Sequence, residues 1–199
     1  MSDSRDPGDV TGTLTGDPLA IVHSRTDEIM SRLLDVAESL SIGFDRWDEQ
    51  HVSGPSLYFI VVADVDYGPY ADPLGENTWP TDVCRSVHDG GTSLVGAASE
   101  VAFSCDGAIV VTVDGTIQEQ MVRVKSPSVG TSERSDAIEY ADWMGTKHLS
   151  AAEISTREGV LAAVTVSEEN GRVTVFQQGQ YDDRQRDELG GRWRAGRGE

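Results

Sequence analysis

The sequence predicts an α/β domain with a mixed central β-sheet flanked by helices on both faces. Three observations carry this expectation. Residues 57–65, LYFIVVADV, form a continuous apolar, β-branched and aromatic run, the pattern of a buried strand. Segments with helical apolar spacing at 25–41, 93–103 and 147–157 alternate with roughly five strand-like runs. Two hairpin signals, Asp114-Gly115 and Asn170-Gly171, lie between strand runs. Helical crossovers combined with hairpins give a mixed sheet.

Taken in order, residues 1–20 are Gly, Asp, Ser, Thr and Pro with few large apolar groups, a composition that predicts a disordered leader. Ser24 and Asp27 resemble a capping box. After them Ile29, Met30, Leu33, Leu34, Val36, Ala37 and Leu40 mark one face of a helix. The buried strand at 57–65 follows. Residues 66–81, DYGPYADPLGENTWPT, are rich in turn formers and predict a loop. SLVGAASEVAF (93–103) has helical spacing. CDGAIVVTVDGTIQEQMVRV then reads as strand, turn and strand, and 126–137 as a polar loop. A helix at 147–157, with Ser150 and Glu153 as a second capping-box candidate, precedes a strand, the Asn170-Gly171 turn and a last strand. The domain is thus expected over 21–180. Residues 181–199 carry five Arg against five acids among several Gly, and read as a flexible tail.

The chain has 199 residues and a net charge of −18, with 34 acids against 16 bases. Only Lys125 and Lys147 are lysine. Such a charge disfavours nucleic-acid binding, which needs a basic face. No stretch approaches the ~18 apolar residues of a membrane span, and no signal peptide is seen. Cys84 and Cys105 are too few for a secreted disulfide framework and read as reduced thiols of a cytoplasmic protein.

Three short stretches place polar groups at element ends. Asp106-Gly107 precedes AIVV, Thr146-Lys147-His148 opens a helix, and Ser167-Glu168-Glu169 closes the strand VLAAVTV. Each has an ordinary reading: a turn, a plain N-cap, a solvated strand end. Each also has a chemical one. A helix N-terminus with a nearby lysine attracts an anion, and adjacent carboxylates attract a divalent cation.

As a set, DGAIVV (106–111), GTKHLSA (145–151) and VSEENGRVTVF (166–176) resemble the diadenylate cyclases, enzymes that join two ATP molecules into cyclic di-AMP. The resemblance covers about 93–180, with weaker support back to about 25. It implies a mixed sheet flanked by helices, an ATP substrate, Mg²⁺ or Mn²⁺, and a homodimer or higher even oligomer. It assigns Asp106 to the ribose 3′-hydroxyl and Gly107 to close backbone approach. Thr146, Lys147, His148 and Ser167 would hold phosphate, and Glu168, with Glu169, the metal. Two positions depart from the family pattern: Lys147 stands where the first motif Arg is expected, and Leu149 where the second is. Lys147 still binds phosphate as a point charge. Leu149 leaves open a catalytically weakened nucleotide-binding regulatory module of the same fold. The remaining reading is an unrelated acidic α/β protein. No apolar helices precede the domain and no basic module follows it, so a nearly stand-alone soluble cyclase domain is expected. The acidity and scarce lysine suggest a haloarchaeal setting.

Self-repulsion of this size weakens a compact state at low salt, and screening relieves it. The thermal midpoint is expected to rise from low to molar KCl. A flat or falling midpoint removes the halophilic reading.

Overall fold

The run LYFIVV forms β1 (Leu57–Val62), all six residues of which are buried. Its alternating side chains face two cores. Leu57, Phe59 and Val61 join one, with Ile29, Leu33 and Ala37 of α1 (Pro18–Gly43) and Leu94, Ala98 and Val101 of α2 (Gly91–Ser104). Tyr58, Ile60 and Val62 join the other, with Ala151, Ala152 and Ile154 of α3 (Thr146–Ile154). A strand covered by helices on both sides has no solvent face, which is why its sequence is apolar without interruption. The computed structural model describes residues 18–125 and 138–191. Residues 1–17 of the leader expected over 1–20, the expected loop at 126–137 and the tail from 192 lie outside the described residues, while 18–20 are helical and open α1.

The remaining strands are β2 (Ala71–Thr78), β3 (Ile109–Thr112), β4 (Gln120–Val124), β5 (Val160–Val166), β6 (Val173–Gln177) and β7 (Gln180–Arg184). The central five-stranded sheet has the order β3-β1-β5-β6-β7. β1 and β3 are parallel, as a crossover through α2 requires, and the other pairs are antiparallel. β2 and β4 form a separate two-stranded sheet. The fold is therefore mixed α/β, with α1 and α2 on one face of the central sheet and α3 on the other.

Several local expectations are corrected. α1 starts at Pro18 and runs through Ser24, so Ser24 is not its cap. Ser150 lies inside α3, whose cap is Gly145. β2 lies within the expected loop: ADPLGENT has little strand propensity, and its pairing to β4 is what extends it. The Asp114-Gly115 turn does form, with Gly115 N–H on the Thr112 carbonyl at 2.8 Å, but only isolated bridges link the segments on either side of it. The ladder partner of β4 is β2.

The largest correction falls on the expected flexible tail from 181. β7 pairs along β6, Arg184 reaches the buried carboxylate of Glu38 in α1 at 3.0 Å, and the Gly190 N–H donates to the same carboxylate at 3.0 Å. Leu189 is fully buried in the α1-side core. The Gly and Arg content concealed these anchors, because each depends on a partner far away in sequence. Cys84 and Cys105 are both free thiols.

Leu189→Ala is expected to lower the free energy of unfolding by about 2–5 kcal/mol, as for other buried leucines. A urea titration measures it. An unchanged midpoint means that the 181–191 segment does not belong to the folded unit.

Candidate functional site

The strand pairings bring three chain segments to one edge of the central sheet. β1 and β3 run in the same direction, with Phe59 opposite Ile109, and β5 runs against β1, with Leu57 opposite Val166. The starts of β1 and β3 therefore lie beside the end of β5. Ser56 precedes β1, Asp106-Gly107 precede β3, and Ser167-Glu168-Glu169 follow β5. The entrance of α3, capped by Gly145, reaches the same edge.

Two cavities open there and share Thr146 and Lys147 as wall. The first, about 410 Å³, is lined by Asp106, Thr146, Lys147, His148, Ser167, Glu168 and Glu169, together with Ser56, Trp143 and Arg172. The second, about 540 Å³, is more apolar, with Leu74, Ala108, Val122 and Leu149 beside Gly107, Tyr58 and Ser150. All eight residues singled out in the sequence thus line one or both of these spaces. Their volumes lie in the range of small-molecule sites.

Gly107 sits at φ +104°, where an L side chain is strained. A Cβ there would lie 2.6 Å from Leu74 Cδ2 and 2.9 Å from the Val122 carbonyl oxygen. Glycine is thus required where the chain passes under β4 into β3. The acidic loop after β5 is held by its backbone. The Ser167 N–H donates to the Arg172 carbonyl, the Gly54 N–H to the Glu168 carbonyl, and Ser41 Oγ to the Gly171 carbonyl at 2.6 Å. Those bonds leave the Glu168 and Glu169 side chains exposed to the cavity.

Lys147 is half-buried. Its Nζ donates to Ser56 Oγ and, at 3.3 Å, to the Val166 carbonyl. Burial lowers its pKa, opposed by the charges of Glu168 and Asp106. His148 departs from expectation. It is buried, stacks edge-on to Trp143 with ring centroids 5.0 Å apart, and has Nε2 unpartnered. Burial first, then Lys147 and Arg172, push its pKa down to about 4. It is neutral at pH 7 and brings no full charge to the helix entrance. Leu149 faces the apolar cavity and not the polar one.

Among the described residues no three His, Cys, Asp or Glu side chains are grouped to hold a metal ion. The two adjacent carboxylates still fit an ion whose other ligands come from substrate oxygens, the usual manner of Mg²⁺ at phosphates. Ser56, Trp143 and Arg172 were missed from sequence. Trp143 reads by default as core packing, and Arg172 as part of a turn; only the β6–β7 pairing and the sheet edge bring them to the cavity.

Residues 87–181 match the family described as DisA bacterial checkpoint controller nucleotide-binding. That span contains all three sequence motifs. Among solved structures, a hypothetical membrane spanning protein from Bacillus cereus superposes with a TM-score of 0.54 at 13% identity, covering 83% of this chain and 69% of that one. A double mutant of DacA from Staphylococcus aureus gives 0.48 at 13% identity, covering 80% and 88%. The Bacillus cereus structure shows the same fold. No match is found among curated proteins. No helix among the described residues is long and apolar enough to cross a membrane.

The unfolded chain protonates its histidine near pH 6.5, whereas folded His148 resists until about pH 4. The resulting loss of stability begins as pH falls through 6.5 and is complete near 4. His148→Leu should therefore flatten the fall in thermal midpoint between pH 7 and pH 5. Parallel curves for the two proteins would show that His148 titrates normally.

Proposed function

We propose that the protein is a diadenylate cyclase, condensing two ATP into cyclic di-AMP and two pyrophosphates across a symmetric dimer. The observation that carries the reading is the convergence of eight motif residues on two cavities that share Thr146 and Lys147 as wall. The match of 87–181 to a nucleotide-binding family supports it.

In this reading adenosine occupies the apolar cavity and the triphosphate the polar one. Thr146 and the free N–H groups of the α3 entrance meet phosphate oxygens, where the helix dipole favours negative charge. Lys147 adds a full charge, and Ser167 a hydroxyl donor. Glu168 and Glu169 would hold Mg²⁺ or Mn²⁺, which supplies charge neutralisation on the phosphates. Asp106 orients the ribose 3′-hydroxyl and accepts its proton. The 3′-oxygen of each nucleotide attacks the α-phosphorus of the other, forming one P–O bond as the bond to pyrophosphate breaks. Positioning and electrostatics carry such a reaction, and no covalent help from protein is needed. One protomer binds one ATP; ring closure needs a second copy facing it, so an isologous dimer is the smallest active unit.

Leu149 favours a second reading. An apolar side chain at this position supports a nucleotide-binding regulatory module that no longer cyclises. The same assay separates the two.

Incubation with ATP and Mg²⁺ or Mn²⁺ in high KCl is expected to yield cyclic di-AMP and pyrophosphate, followed by mass spectrometry. Lys147→Ala should weaken ATP binding roughly tenfold or more, the worth of a charge-assisted hydrogen bond. Binding without turnover selects the regulatory module. Neither binding nor turnover by folded protein removes both readings.

A further inference from the structure

Resting on that reading, we propose that Arg172 is a further phosphate-binding residue, gripping the terminal phosphate of the substrate and then the pyrophosphate leaving group. The wall of the polar cavity carries three carboxylates, Asp106, Glu168 and Glu169, and two cations, Lys147 and Arg172. A triphosphate needs more positive charge than one half-buried lysine supplies, and the other cation is Arg172.

Its placement suits the task. Arg172 follows the Asn170-Gly171 turn, directly before β6. The guanidinium carbon lies 4.2 Å over the Trp143 ring centroid, and Nη1 donates to Asp183 of β7. Stacking and ion pairing fix the plane of the fork before any ligand arrives, which reduces the ordering needed on binding. Its Nε is buried and has no hydrogen-bond partner within the protein. Arg172 also lines a separate cavity of about 310 Å³ beside Asn170 and Arg186. It thus lines two spaces, the second of which also carries Arg186 and Asp187. The proximity to Lys147 is independent of these contacts. Both cations line the same cavity wall as His148.

Arg172 is a phosphate clamp only if its loss is felt by ligands according to their phosphate number. Calorimetry with ATP, ADP and AMP is the test, on the full chain in high KCl. Wild type is expected to bind ATP more tightly than ADP. Arg172→Met should remove that preference, weakening ATP roughly tenfold or more and AMP little. Because Arg172→Met strands the Asp183 carboxylate, the double variant Arg172→Met/Asp183→Asn serves as the folded control and should show the same loss. Arg172→Lys should restore part of the ATP preference. An Arg172→Met protein that keeps the full preference, or that weakens all three nucleotides equally, overturns the inference and leaves the nucleotide reading standing. A folded wild type that binds none of the three removes both.

Discussion

The register between β1 and its two neighbours is the constraint on which the site depends. β1 pairs in parallel with β3 and antiparallel with β5, so two strand beginnings and one strand end meet at one edge of the sheet. That edge is where Ser56, Asp106-Gly107 and Ser167-Glu168-Glu169 meet. A one-residue slip of either pairing would exchange the two faces of the slipped strand and displace the loops beyond it. The two cores guard against this. β1 has six buried residues shared between α1 and α2 on one side and α3 on the other, so no shifted register keeps both faces filled. The chemistry is thus positioned by apolar packing several residues away from any charge.

Once these segments meet, backbone bonds keep them still. The Gly54 N–H ties the loop before β1 to the Glu168 carbonyl, and Ser41 at the end of α1 ties into Gly171. Trp47 covers both glycines: a Cβ on Gly54 would lie 2.1 Å from its ring, and one on Gly171 2.8 Å. Main chain thereby fixes the acidic loop and leaves its carboxylates free for a ligand. Carboxylates held by their own side-chain bonds would have to break them before binding an ion.

How much of this was legible follows from how local each signal is. β1, the face of α1, the α2 segment and the three motifs were readable because apolar period and short motifs are properties of neighbouring residues. β2 and β7 were not. ADPLGENT and QYDDR are extended by their partners, through the β4 ladder and the β6 ladder. Leu189 and Glu38 show the same limit, since a leucine in a Gly- and Arg-rich stretch reveals its core only when α1 is beside it. Within the cavities the motif residues were legible, whereas Ser56, Trp143 and Arg172 and the protonation state of His148 were not. Lys147 and His148 are adjacent in sequence, and nothing there says that the lysine head reaches Ser56 while the imidazole turns to Trp143.

Charge on this scale also shapes how an anionic ligand would reach the site. A chain of net charge −18 repels a polyanion over distances comparable to the Debye length, about 10 Å at 0.1 M salt. In the proposed site Lys147 and Arg172 would act at contact distance from half-buried positions, where salt screens less. Raising the salt therefore removes the repulsion more effectively than it weakens the grip. The same screening relieves the self-repulsion of the fold, so both effects favour concentrated salt. Two cations on one cavity wall inside a strongly acidic chain would then be a workable arrangement for the proposed phosphate site.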